Sequence, residues 1–84
     1  MHDLHAADRI LKIVLEKASE KKLRSVTKIV VELGSVLEHG SEILPENLEF
    51  NLRELARGTA AAGAEIEIRK AGTETWKLVE IEGE

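Results

Sequence analysis

The spacing of apolar residues changes along this chain, from every third or fourth position near its amino end to every second position near its carboxyl end. Between residue 4 and about residue 20, apolar side chains recur at helical spacing, and charged side chains cover much of the remaining surface. The stripe consists of Leu4, Ala7, Leu11, Val14 and Ala18, with Ile10 and Leu15 beside it. This stretch is therefore predicted as an amphipathic helix, with Asp3 as its N-cap.

A strand and a second helix are predicted in the middle of the chain. Residues 26–33 (VTKIVVEL) alternate as a strand does, and Gly34 ends it. Residues 35–44 are expected to form a loop. Pro45 suits the first position of a helix, and Gly58 is a natural stop just after its end. The core stripe of this helix comprises Leu48, Leu52, Leu55 and Ala56.

The last third of the chain predicts two strands. Residues 64–70 (AEIEIRK) alternate cleanly between apolar and charged side chains, and residues 75–81 (TWKLVEI) form the returning strand. The connection between them is short and contains a glycine, which suits a hairpin. Val79 and Ile81 give the returning strand an apolar second face. Such a face is typical of a partly covered back surface or of a homodimer contact, and both interpretations stay open.

These elements predict the fold class α+β, in the order α-β-α-β-β. Two helices are expected on one face of a three-stranded mixed sheet. The middle strand, helix and strand should form a right-handed parallel crossover, and the last strand should pair with its predecessor. With 84 residues and no internal repeat or linker, residues 1–84 are expected to form a single domain.

Composition excludes several classes of protein. The net charge is −4 and the aromatic residues are Phe50 and Trp76, which argues against a nucleic-acid reader. The absence of cysteine excludes disulfides and thiolate-ligated zinc or iron–sulfur sites. No apolar run approaches the roughly 18 residues of a membrane span, and charged residues interrupt any secretory signal near the amino end. A cytoplasmic location without membrane partners is expected.

The amino terminus is the one segment whose sequence predicts a metal-binding site. In Met1-His2-Asp3, an α-amine, backbone amides and an imidazole lie close enough to close fused chelate rings around one ion. Square-planar nitrogen coordination suits Ni(II) or Cu(II) rather than zinc. His5 lies one helical turn beyond His2 and is a candidate fourth ligand. His39 lies in the predicted loop, where local solvation is the simpler interpretation.

Several segments resemble the HypA/HybF nickel metallochaperones. They are, in order, the opening MHDL, VTKIVVELG, PENLEFNLRELARGT, GAEIEI and KLVEIEGE, which together cover most of the chain. The resemblance implies delivery of Ni(II) for maturation of [NiFe] hydrogenase and in some organisms of urease. It further implies a HypB-like GTPase and the hydrogenase large subunit as partners. The implied nickel site maps onto Met1, His2 and Asp3, although the family usually has glutamate at the third position.

A larger departure from the family than the residue at the third position is a missing domain. Its members normally insert a zinc domain with two CxxC pairs between the last two strands, whereas this chain has only AGTE there. The resemblance therefore implies a nickel-binding domain without its zinc domain, and no zinc is expected.

Two alternatives compete with the metal hypothesis. His2 alone is typical of an exposed residue near a frayed terminus, and His5 of an exposed helical residue. The chain would then be a metal-independent interaction module that docks a maturation GTPase or another subunit. No group of residues supports an enzymatic function, because no nucleophile or carboxylate pair accompanies the histidines at a spacing typical of an active site.

Overall fold

The computed structural model describes residues 3–38 and 41–84, which form two helices, a three-stranded sheet and a small two-stranded sheet. The elements are α1 (Asp3–Glu20), β1 (Val26–Leu33), β2 (Leu37–Glu38), β3 (Ser41–Glu42), α2 (Pro45–Ala56), β4 (Glu65–Lys70) and β5 (Trp76–Gly83). The predicted α+β class is confirmed, as are both helices and all three long strands.

The long strands lie in the order β4-β1-β5, so β1 is the central strand. It pairs in parallel with β4, with Ile29 opposite Ile66, and the predicted parallel pairing is confirmed. It pairs antiparallel with β5, with Ile29 opposite Ile81. The prediction that the last strand forms a hairpin with its predecessor is therefore wrong. Val30 lies on the face of β1 away from the helices and is nevertheless only 2% exposed.

The connection between β4 and β5 passes over the carboxyl end of β1 instead of turning back on β4. Its backbone is held there by three hydrogen bonds. They run from Ala71 N–H to the Leu33 carbonyl (3.0 Å), from Gly34 N–H to the Thr75 carbonyl (2.9 Å) and from Ser35 N–H to the Thr73 carbonyl (2.8 Å). Five residues suffice for this crossing because strands two positions apart in a sheet are only about 10 Å apart.

The core lies between the helices and one face of the sheet, as predicted. α1 packs beside α2 and against β5, while α2 packs against β4. The largest fully buried side chains of the core are Ile10, Val14, Val26, Ile29, Val31, Ile43, Leu48 and Leu52. In the described part of the chain, no helix is long and apolar enough to cross a bilayer.

A β-bulge in β5 corrects the interpretation of its second face. The register shifts between Val30 and Val31 of β1, so one extra residue is accommodated on β5. Trp76 and Leu78 before the shift, and Ile81 after it, all pack against the core. Val79 lies at the shift and is 41% exposed. The strand therefore has one apolar face, and Val79 alone remains outside it.

The predicted loop over residues 35–44 contains a small hairpin. β2 and β3 pair antiparallel, with Leu37 opposite Glu42, and the ladder continues with Ile43 N–H donating to the Val36 carbonyl (2.8 Å). Ile43 is 1% exposed, and Val36 packs against the core. The hairpin is therefore held to the domain by its inward side.

Candidate metal centre

The first turn of α1, which carries Asp3 and His5 of the predicted metal site, lies at one end of the sheet. α1 has 18 residues and is about 27 Å long. β1 has 8 residues and is about 26 Å long. Because only residues 21–25 join them, the helix runs back along the sheet. The first turn of α1 therefore lies level with the last residues of β1.

Three other segments lie at this same end, here called the amino end. The β2–β3 hairpin leaves from the carboxyl end of β1, and α2 starts directly after it at Pro45. The connection over residues 71–75 crosses the same strand end. A shallow cleft there is lined by residues from β1, from the start of α2 and from the end of β4, including Leu33, Leu44 and Lys70.

The predicted ligands fall on or next to the first turn of α1. Asp3 is the first residue of the helix and His5 its third. Both are described through their backbone only. Met1, His2 and His39 lie outside the described residues, so the predicted ligand set stays a prediction. The prediction of Asp3 as the N-cap is wrong, because Asp3 is itself the first helical residue and the N-cap precedes it.

Helix geometry makes the backbone of this turn available. The first four N–H groups of an α-helix have no carbonyl partner within the helix. The amide nitrogens of Asp3 and His5 belong to this group, because α1 begins at Asp3. A metal ion can therefore be bound through backbone nitrogen at this position without the loss of a helical hydrogen bond.

The electrostatics of the amino end are mixed. α1 and α2 both begin here, and the positive ends of two helix dipoles disfavour a cation. Asp8 offsets this field less than its charge suggests, because Lys12 Nζ lies 3.2 Å from its carboxylate. Glu42 and Glu46 are exposed and add negative charge on the α2 side.

Within residues 3–38 and 41–84, no group of three or more His, Cys, Asp or Glu side chains is arranged to hold a metal ion. Perturbed carboxylates occur on the open face of the sheet, which the helices do not cover. There, a hydrogen bond from the Arg69 guanidinium lowers the pKa of Glu67. A hydrogen bond shared with Glu80 raises the pKa of Glu82. Glu82 is exposed and Glu67 is half-buried, as expected for a charged strand face.

Sequence reasoning did not identify the outward side of the hairpin, where Leu37 and Leu44 are exposed. The signal was present in the alternation from Val36 to Leu44. Val36 and Ile43 are apolar inward positions, and a glycine falls in the gap between Leu37–Glu38 and Ser41–Glu42.

Comparison with known proteins gives one consistent family. The model of the family described as "Hydrogenase/urease nickel incorporation, metallochaperone, hypA" matches residues 1–76. A hydrogenase maturation factor HypA from Archaeoglobus fulgidus is 38% identical over 68 residues, which cover 81% of this chain and 58% of the relative. One from Thermococcus onnurineus is 35% identical over 92 residues, covering 99% of this chain and 63% of the relative. The chain thus spans about six-tenths of the length of these relatives.

The fold has a solved counterpart. The solution structure of the Ni metallochaperone HypA from Helicobacter pylori superposes with a TM-score of 0.77 over 99% of this chain and 97% of the other. The sequence identity is 10%, so this likeness concerns the fold alone.

Proposed function

Because this chain belongs to the HypA family, we propose that it binds one Ni(II) ion as cargo and supplies it for maturation of [NiFe] hydrogenase, and of urease where that enzyme is present. The family match over residues 1–76 carries the proposal, since it includes the amino terminus where the sequence places its metal chemistry. The chain acts as a carrier and catalyses no reaction.

The proposed ligands are the Met1 amine, the His2 imidazole and the backbone nitrogen of Asp3, with the His5 imidazole in the fourth position. The start of α1 at Asp3 supports this set, because the Asp3 amide has no acceptor within the helix. Four nitrogen donors favour a square-planar ion. His5 lies within the first turn, so its backbone is close to the other donors.

Protons compete with nickel for these nitrogens. An α-amine has an ordinary pKa of about 7.7–8.0 and an imidazole one of about 6.5. Both must lose a proton to bind a metal, so nickel affinity falls as the pH drops below neutrality. Acidification then favours release, which suits a protein that hands its metal on.

The partners that we propose are a HypB-like GTPase, which works with this chain in nickel delivery, and the hydrogenase large subunit, which receives the metal in the cytoplasm. We further propose that the nickel-binding domain works without zinc, because the chain has no cysteine to form a thiolate site. The five-residue crossing over β1 occupies the place where the zinc domain would be expected.

The proposal is tested by titrating untagged protein with Ni(II), using absorption spectroscopy and calorimetry. The wild-type protein should develop the d–d band of a square-planar nitrogen site at one equivalent. Loss of even an outer-shell partner typically weakens metal affinity about 10–100-fold, so loss of a direct ligand in His2→Ala should cost at least that. His39→Ala is the matched control and should bind as the wild type does. His5→Ala should weaken binding and change the band.

A second variant tests the free amine without changing any side chain. Extension of the chain by Gly-Ser ahead of Met1 should abolish the band and leave the fold intact, because the added residues precede α1. Undiminished nickel affinity in that variant, or in His2→Ala, would sink the proposed site. If partner binding also persisted unchanged, the metal-independent interaction module would be the better account.

A further inference from the structure

The outer side of β5 is an open sheet edge. In the part of the chain that the structure describes, the order β4-β1-β5 leaves one side of β5 without a strand partner. The strand has 8 residues, and Val79 at its bulge is 41% exposed. An open groove beside it is lined by Lys17 and Lys21 of α1 and by residues 78–81. The unpaired backbone groups of such an edge can accept a further strand.

The bulge determines which strand fits this edge. Trp76 and Leu78 before the bulge face the core, and so does Ile81 after it, so the alternation shifts by one residue at Val79. A regular strand that matches the side-chain faces of β5 on one side of the bulge mismatches them on the other, unless it repeats the irregularity. A second, antiparallel copy of β5 carries the same bulge. The two shifts then cancel, and Trp76, for example, comes to lie opposite the partner's Ile81 on the core face.

One antiparallel register also matches the side chains near the two-fold axis. It places Lys77 opposite the partner's Glu80 on the open face, and Val79 against the partner's Leu78. Each contact occurs twice because the arrangement is symmetric. Cross-strand pairs of opposite charge, and apolar pairs, stabilise a sheet. If the second copy is displaced by two residues, the two Glu80 carboxylates meet near the axis instead, which disfavours that register.

The charges on the open face suit this register. Lys77 and Glu80 are exposed, and neither forms an ion pair within residues 3–38 and 41–84. In the ladder with β1, Glu32 lies opposite Lys77, and Lys28 lies opposite Glu82. Glu80 and Glu82 share a hydrogen bond, so two carboxyl groups lie close together on this half of the strand. A lysine from a second copy offsets that concentration of negative charge.

The charges on the helix side do not oppose a second copy. Lys17 Nζ lies 3.8 Å from the Glu20 carboxylate. Lys17 and Lys21 are exposed, and a lysine can keep its ammonium group in solvent while its aliphatic stem covers apolar surface. The central part of the edge therefore carries equal numbers of positive and negative side chains, namely Lys17, Lys21, Lys77, Glu20, Glu80 and Glu82. Such a surface is complementary to itself, although the whole chain has a net charge of −4.

We propose that this protein forms a symmetric dimer in which β5 pairs antiparallel with β5 of a second copy, joining the two three-stranded sheets into one of six strands. β4, the other edge strand, is less suited. It has 6 residues, and its Glu67 is bound by Arg69 and Lys28 of its own chain. Because the two β5 strands run in opposite directions, the two amino ends lie at opposite ends of the joint sheet. The inference goes beyond the proposed function and does not depend on nickel.

The test is sedimentation velocity of the full untagged chain over a concentration series. The wild type should form a dimer as its concentration rises. Lys77→Glu and Glu80→Lys each place like charges opposite one another at both symmetric positions, so the dimer dissociation constant should rise at least about tenfold. In an equimolar mixture of the two variants, the heterodimer has opposite charges at both positions. Its affinity should return close to that of the wild type.

The variants separate contact between copies from a defect within one copy. Both side chains are exposed, so the core is left intact, and mixing cannot repair a folding defect in either variant. The double variant Lys77→Glu, Glu80→Lys should also dimerise, because it pairs opposite charges again. Lys70→Glu is the matched control, since it reverses an exposed lysine on the other edge strand. It should dimerise as the wild type does.

Dissociation of both single variants, with recovery in the mixture, would support the dimer. It is overturned if the wild type stays monomeric at about 1 mM, if both single variants dimerise as the wild type does, or if neither the mixture nor the double variant recovers. Nickel titration of Lys77→Glu separates the two proposals, because this variant should bind nickel as the wild type does. A wild-type protein that dimerises without binding nickel would sink the proposed function alone.

Discussion

The two ends of the three-stranded sheet are built differently. At the end opposite the amino end, the chain closes on itself through its backbone. The Arg24 and Glu84 backbones are hydrogen bonded, Ser25 pairs with Glu84, and Val26 N–H donates to the Ala60 carbonyl. The Thr59 hydroxyl adds a bond to the last turn of α2. This end is here called the closing end.

At the amino end the backbone is also held, but the side chains remain available. The connection over residues 71–75 is bonded to the end of β1, whereas the hairpin directs two leucines outward. The first turn of α1 has amide groups without a carbonyl partner inside the helix. The comparison indicates a division of tasks. The closing end ties the chain together with backbone groups that hydrogen bond to one another, whereas the amino end leaves the Leu37 and Leu44 side chains exposed.

The largest expected effect on stability tests whether the β2–β3 hairpin of the amino end is anchored in the core through Ile43. Ile43→Ala should lower the free energy of unfolding by about 2–5 kcal/mol, because Ile43 is fully buried and its loss leaves a cavity. Urea denaturation measures it. Leu37→Ala, on the other side of the same hairpin, should change stability little, within about 0.5 kcal/mol.

If Ile43→Ala costs no more than Leu37→Ala, the hairpin is not anchored as described, and the amino end is a loosely attached segment. In that case the firmly held part of the amino end would stop at Gly34, directly after β1.

A smaller effect compares the two ends directly through a matched pair of glycines. A Cβ at Gly34 would lie 2.1 Å from the Thr73 carbonyl oxygen, and a Cβ at Gly83 would lie 2.1 Å from the Ser25 carbonyl oxygen. Either substitution by alanine must therefore displace backbone, at a cost of about 1–3 kcal/mol in unfolding free energy. Both are measured by denaturation.

The two variants should differ in nickel binding. Gly83→Ala changes only the closing end and should leave the nickel titration as in the wild type. Gly34→Ala displaces the connection next to the proposed site and should weaken nickel binding. Equal nickel affinity in both variants would mean that the amino end tolerates distortion as well as the closing end does.

Local patterns in the sequence predicted most of the fold. The helical stripe of α1, the proline and glycine around α2, and the alternation in β4 each reflect interactions between residues close in the chain. The partner of β5 was predicted wrongly, because a short connection with a glycine suits a hairpin and a crossing equally well. The apolar run Ile29-Val30-Val31 was the available signal that β1 is central, since Val30 places an apolar residue on the second face of the strand as well.

The candidate site was predictable only in part, for a physical reason. A chelate formed by the first few residues uses donor atoms that are close together along the chain. The metal chemistry of Met1-His2-Asp3 can therefore be predicted from the sequence without knowledge of the fold. The exposed side of the hairpin depends on which residues the β2–β3 ladder turns outward. Leu37 and Leu44 come together only because Val36 and Ile43 turn inward, and this register was hidden in a segment predicted as a loop.

The smallest expected effect concerns the charge on the open face near the closing end, where Glu82 lies opposite Lys28. A hydrogen bond shared with the Glu80 carboxyl raises the pKa of Glu82 above 4.5, so the folded state holds this proton more tightly than the unfolded chain does. Stability contributed by the protonated group is complete below about pH 4.5 and is lost as the pH rises through the folded-state pKa. Glu82→Gln should remove this loss and be slightly more stable than the wild type at pH 7.

Glu67→Gln is the opposite control, because Arg69 lowers the pKa of Glu67, whose contribution to stability is lost as the pH falls. Urea midpoints at pH 4.5 and 7 measure both. A wild-type pH dependence retained in Glu82→Gln would show that the Glu80–Glu82 contact does not reduce the stability of the closing end.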